Sequence, residues 1–141
     1  MTPSPNSQPL PSGTVTFLFT DIEGSTKLWQ EQPEAMTIAH ARHDEILRGA
    51  IESNHGYVFQ IVGDSFSAAF HNAIDGLRAI LAAQRSLVSI RTEKNTQSYS
   101  TSDIEIKVRM GLHTGAAEVS ADGKYEGYAT IASTQRVMSA A

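Results

Sequence analysis

Residues 13–26 read Gly13-Thr14-Val15-Thr16-Phe17-Leu18-Phe19-Thr20-Asp21-Ile22-Glu23-Gly24-Ser25-Thr26. From Thr14 to Thr20 β-branched and aromatic residues alternate without a charge, as in a strand of a covered sheet. The run stops at a carboxylate, Asp21, and a small-residue turn leads into helix-forming residues. Outward from this stretch, Glu34 to Ser53 sets Ala35, Ile38, Ala39, Ile46, Leu47, Ala50 and Ile51 near helical spacing, an amphipathic helix of about five turns. Tyr57–Val62 and Ser65–Phe70 flank Gly63-Asp64 and predict a hairpin with Asp64 at its tip. Ala73 to Ile90 predicts a helix, and polar Thr92 to Ser102 a loop. Ile104, Ile106, Val108 and Met110 alternate with charges, the pattern of a half-buried strand running into Gly111-Leu112-His113-Thr114-Gly115. A further strand at 116–119, a turn at Ala121-Asp122-Gly123 and a helix from Ala129 follow. The order strand, helix, strand, strand, helix, strand makes an α+β fold, a ferredoxin-like split βαβ sheet with helices packed on one face.

Composition narrows the functional classes. The 141 residues carry 11 Lys+Arg against 15 Asp+Glu, a net charge of −4, and suit one domain. Four of the five prolines fall in the first eleven residues among Ser, Asn and Gln, so residues 1–12 read as a disordered leader and 13–141 as the domain. With no cysteine there is no disulfide, thiolate metal site or cysteine nucleophile. The first 20 residues carry no charge, but Pro, Ser, Asn and Gln make up most of the first nine, and the remaining stretch from Leu10 to Thr20 is far short of the roughly 20 apolar residues of a membrane span. It has no basic segment before it, which argues against a secretory signal and for a cytoplasmic location. The acidic balance excludes broad nucleic-acid binding.

Two features carry chemistry. At residues 21–26 a carboxylate ends a strand, and a turn can aim backbone N–H groups at one point beside a helix start, a seat for phosphate oxygens. The same residues also suit a plain helix cap at Ser25 or Thr26 with Asp21 closing a turn. Gly63-Asp64 is the second. If the hairpin lies beside the first strand, Asp21 and Asp64 share one end of the sheet, and two converging carboxylates call for a divalent cation. By itself an Asp in a tight turn also needs no function.

The three stretches Gly13–Thr26, Val62-Gly63-Asp64 and Val108-Arg109-Met110-Gly111-Leu112-His113-Thr114-Gly115 together resemble the catalytic domain of class III adenylate/guanylate cyclases. The resemblance spans roughly Gly13 to Ala141. It implies the fold read above and a homodimer with active sites between protomers. It implies two Mg²⁺ or Mn²⁺ ions on Asp21 and Asp64 with the Ile22 carbonyl, and triphosphate held by backbone amides of Ile22, Glu23, Gly24, Ser25 and Thr26. Arg136 matches the family's transition-state arginine, acting from the opposite protomer. The implied reaction turns ATP or GTP into the 3′,5′-cyclic nucleotide and pyrophosphate, in cyclic-nucleotide signalling.

Departures from the family pattern cluster at the base and the transition state. Gln60 stands where the family usually carries a Lys that reads the purine, and Lys124 where adenylate cyclases carry an Asp. Ala132 occupies the place of the transition-state Asn. The family domain usually continues some forty residues past the equivalent of Ala141, with a Lys on the triphosphate, so the resemblance implies weak activity or none for these residues alone. These departures support an alternative, a degenerate cyclase-like module that binds nucleotide or dimerises for regulation with little catalysis. A phosphatase with Asp21 as nucleophile is weaker, because Glu23 replaces the expected second Asp. Elsewhere, Trp29 reads as a core or interface anchor, His113 as a packed strand-end residue and Arg109 as a sheet-face charge, while His40 and His43, three apart on a helix, could pair as metal ligands but read as a solvated helix face because the sequence shows no convergent third ligand.

Overall fold

The computed structural model describes residues 9–96 and 104–141. Its elements are β1 (Gly13–Ile22), α1 (Ser25–Glu31), α2 (Pro33–Ser53), β2 (Tyr57–Val62), β3 (Ser65–Phe70), α3 (Ala73–Thr96), β4 (Val108–Val119), β5 (Tyr125–Glu126) and α4 (Tyr128–Ala140). The sheet runs β2-β3-β1-β4-β5 with every neighbouring pair antiparallel. This is the split βαβ order read from the sequence.

β1 lies in the middle and is covered on both faces, which is why its sequence is apolar without interruption. Leu18 joins Phe66, Ala68 and Phe70 of β3, Leu47 and Ile51 of α2, and Ala79 and Ala83 of α3 in one core cluster. Val15, Phe17 and Phe19 point the other way, toward Met138 and Ile131 of α4. Thus α2 and α3 cover one face as expected, and α4 adds a cover to the opposite face. A third cluster joins Ile22, Met36, Leu87, Ile104, Ile106 and Val108 at the end of the sheet.

α4 can dock because two residues of β4 lack side chains. A Cβ on Gly111 would lie 2.3 Å from the Met138 backbone nitrogen, and one on Gly115 2.6 Å from Thr130 Oγ1. The buried residues of α4 are Thr130, Thr134 and Met138, one helical face. Four strand steps cover roughly 13 Å and eight helical residues roughly 12 Å, so the two glycines match the two ends of that face. The Thr130 hydroxyl also donates to the Ala116 carbonyl at 2.7 Å.

The sheet curls strongly enough that its two edges meet. Phe59 of β2 and Tyr125 of β5 have ring centroids 4.9 Å apart, and both rings pack on Phe17. Burial pushes the Tyr125 phenol up to about 12, and its hydroxyl donates to the Pro11 carbonyl at 2.8 Å. Pro11 is buried. The leader read as disordered over 1–12 is therefore held by Pro11, and residues 1–8 lie outside the described residues.

Other local expectations change for identifiable reasons. α3 continues to Thr96 rather than giving way to a loop at Thr92. The segment holds helix formers and no Gly or Pro, and an established helix extends cheaply. Residues 97–102 of the expected loop lie outside the described residues. The strand expected from Ile104 begins at Val108, because β1 ends opposite it at Ile22. Beyond that point the Glu23 N–H to Lys107 carbonyl bond continues the pairing by one step, and Ile104 and Ile106 are buried. The same strand runs unbroken to Val119.

Gly111→Ala should lower the urea midpoint at unchanged slope, by about 1–3 kcal/mol of overpacking. Gly49→Ala, in mid-α2 with open space around it, should stabilise by roughly 0.5–1 kcal/mol. Equal effects of the two changes would contradict the docking described for α4.

Candidate active site

Asp21 is the penultimate residue of β1 and stands directly opposite Arg109 in the β4 register. The guanidinium grips it with two bonds, Nε to Oδ1 at 2.7 Å and Nη2 to Oδ2 at 2.5 Å. Those bonds push the Arg109 pKa above its ordinary value. Arg109 is therefore more than a sheet-face charge: it is the partner of the first candidate carboxylate, and the only signal for this was the cross-strand register.

Asp64 sits in the β2–β3 turn, after Gly63 at φ 59°. The β1–β3 ladder pairs Thr20 with Phe66, and two further steps along it bring Ile22 level with Asp64. The turn thus lies on the strand next to β1, at the end that carries Asp21, as the sequence requires. Asp64 Oδ2 is buried and has no hydrogen-bond partner.

The turn after β1 has a left-handed Gly24 (φ 67°) as the cap of α1, and no side chain caps the helix. The plain capping role open to Ser25 or Thr26 is absent. Glu23 donates its N–H to Lys107 at 2.9 Å, so of the amides proposed for phosphate it is already engaged. An open cavity of about 340 Å³ borders this turn, lined by Glu23, Gly24, Lys27, Leu28, Glu31, Glu105 and Lys107, charges of both signs.

Gln60 and Lys124 are far apart in sequence yet neighbour the two rings that close the curl, Phe59 and Tyr125. Both are exposed. Gln60 follows a bulge in the β2–β3 pairing, and Lys124 belongs to a tight turn in which its carbonyl accepts from Ser120 N–H at 2.8 Å. Ser120 also bonds the Asp122 carboxylate and holds its pKa below the ordinary value. Arg136 is exposed on α4 and reaches only Ser133 Oγ, at 3.3 Å.

His43 overturns the expectation of a solvated face. It is 1% exposed, because α2 turns it inward against the Phe66 ring, 5.8 Å away edge to face. Its Nδ1 lies 2.9 Å from Asp44 Oδ1, and its Nε2 is buried without a partner. Burial lowers its pKa against the opposing pull of Asp44. Trp29 is 38% exposed and leans on His40 at 5.5 Å, so of its two expected roles the core one is absent.

The profile of the adenylate and guanylate cyclase catalytic domain matches residues 8–137. The chain belongs to this family. An uncharacterised protein of Mycobacterium tuberculosis is 41% identical over 112 residues, covering 77% of this chain and 34% of the relative. An adenylate cyclase of Podospora anserina is 32% identical over 118 residues, 76% of this chain and 6% of the relative. The chain thus spans about a third, or less, of the length of these relatives. Among solved structures, an adenylate cyclase of Trypanosoma brucei in its monomeric state superposes with a TM-score of 0.72 at 25% identity, covering 96% of this chain and 72% of that one. An adenylyl cyclase from P. aeruginosa shares the fold at a TM-score of 0.75, 21% identity and 94% and 74% coverage. Among the described residues, no helix of this cyclase-family chain is long and apolar enough to cross a membrane.

Because the folded chain holds His43 below its ordinary 6.5, the unfolded chain takes up the proton first as pH falls. The stabilisation is complete above pH 6.5 and disappears as the pH drops toward the folded value. Urea midpoints should fall between about pH 7.5 and about pH 5.5, and fall less in His43→Phe. Equal slopes in the two proteins would refute the buried neutral imidazole.

Proposed function

We propose that this chain acts as a nucleotidyl cyclase domain, converting ATP or GTP to the 3′,5′-cyclic nucleotide and pyrophosphate. The observation that carries the reading is the buried, unpartnered Asp64 oxygen at the sheet end that also bears Asp21. A buried carboxylate oxygen without a donor costs free energy unless something cationic meets it. The donors are all oxygen, which favours Mg²⁺ or Mn²⁺, and an ion at Asp21 would take the place of at least one of the two Arg109 bonds that now engage both its oxygens. Asp21, Asp64 and the Ile22 carbonyl would hold the ions, which when bound neutralise the triphosphate and ease loss of the ribose 3′ proton.

The chain's own groups supply the rest. The amides of Gly24, Ser25 and Thr26 take the β- and γ-phosphate oxygens, at a turn whose helix dipole favours negative charge. They hold the α-phosphorus in line for attack by the 3′-oxygen with pyrophosphate leaving. Gln60 offers both a donor and an acceptor to a purine edge, and the curl that joins Phe59 to Tyr125 brings Lys124 to the same rim. Arg136 stabilises charge that grows in the transition state. Its exposure on α4, away from the packed face, supports its action on a partner protomer in a homodimer.

A second reading has its own observation. Ala132 stands where the family has an Asn and offers no polar atom, and losing one such donor costs on the order of 10²–10³ in rate. On that reading the domain binds nucleotide or dimerises in a regulatory role.

With Mn²⁺ and ATP or GTP, the purified protein should release pyrophosphate and cyclic nucleotide. Asp21→Ala and Asp64→Ala should each cost about 10²-fold or more, since a metal's charge is worth several kcal/mol in the transition state. Calorimetric nucleotide binding with no pyrophosphate release in the wild type would favour the regulatory module instead.

A further inference from the structure

His40, His43 and Asp44 occupy successive positions i, i+3 and i+4 of α2, which share one helical face. Their nearest ligand-type atoms all lie within 4.8 Å of one another. Asp44 Oδ1 is the hub, 2.9 Å from His43 Nδ1 and 3.6 Å from His40 Nε2. The two imidazoles lie side by side, centroids 5.8 Å apart and planes inclined by 30°. We propose that these three side chains form a transition-metal site of the zinc type on α2, with one coordination position open to solvent.

Three properties of the cluster point to this chemistry. Ligands around tetrahedral zinc at the usual bond lengths stand roughly 3.4 Å apart; the two separations from Asp44, 2.9 and 3.6 Å, bracket that value, and all three ligand atoms lie within 4.8 Å, a spread that small side-chain rotations close. Two imidazoles and one carboxylate suit zinc, cobalt or nickel and not magnesium or calcium, which take oxygen ligands. The cluster is also pre-organised. His43 is fully buried, His40 is wedged between the Trp29 and His43 rings, and the side chains of His40 and Asp44 are 22% and 37% exposed. Little side-chain entropy is left to lose on binding, while the exposed edge gives a cation access.

The Asp44 bond also fixes the resting tautomer of His43. In the metal-free chain Nδ1–H donates to Asp44, which leaves Nε2 an unprotonated and unpartnered acceptor. A cation on Nδ1 keeps the proton on Nε2 instead, so the buried nitrogen becomes a donor, the usual state of a metal-bound histidine. The proposal does not depend on the cyclase reading, because none of its three ligands is among the cyclase candidates.

The test is titration of the metal-stripped full chain with Co²⁺, followed by visible absorption, and with Zn²⁺, followed by calorimetry. One equivalent should bind with an imidazole-type Co²⁺ spectrum that Zn²⁺ displaces. His40→Ala and Asp44→Asn, at half-exposed positions, should each weaken binding by about tenfold or more, and Asp21→Asn should leave it unchanged. In the wild type, Zn²⁺ should shift the imidazole NMR signals of His40 and His43 and leave those of His113 in place. Binding that survives His40→Ala, that is lost in Asp21→Asn, or that moves neither His40 nor His43 overturns the proposal.

Discussion

The architecture depends on one strand being packed from four sides. β1 has antiparallel partners at both edges, β3 and β4, and a core cluster on each face. Each fully buried Phe or Leu on it contributes roughly 1.5–3 kcal/mol, so its register cannot slip without exchanging both faces at once. Asp21 inherits that rigidity. It sits where the ladder is about to end, and its carboxylate is aimed by backbone geometry instead of by loop conformation.

The end of the ladder is equally determined. Past Ile22 the chain leaves the sheet through a left-handed glycine and begins a helix without a side-chain cap. β4 loses its partner at the same level, and Ile104 and Ile106 fill the space as packed coil. The result is a rim where Asp21, its partner Arg109 and the turn that carries Asp64 lie around the termination of one strand.

Much of this was legible in the sequence, because the informative patterns were local. Continuous apolarity in β1, the Gly63-Asp64 turn and the three quoted motifs placed the elements and the candidate carboxylates. The Asp21–Arg109 pair was hidden, since alternation shows which face a residue takes but not which residue on the next strand it meets. His43 was misread because its polar type outweighed its position; the turn of α2 directs it at Phe66 regardless. The two glycines of β4 were visible as letters, but their purpose depends on a helix that the strand's own sequence does not mention.

That helix has little freedom of another kind. Its inner face is pinned at Gly111 by Met138 and at Gly115 by Thr130, and adding or deleting one residue between those points would swing one contact by about 100° out of its recess. Insertions and deletions are thus compatible with this docking only at the ends of the helix and in the turn at Gly127. The outward bearing of Arg136 is a by-product of that phasing: it is set by what packs on the far side of the helix, not by the thin 3.3 Å tether to Ser133.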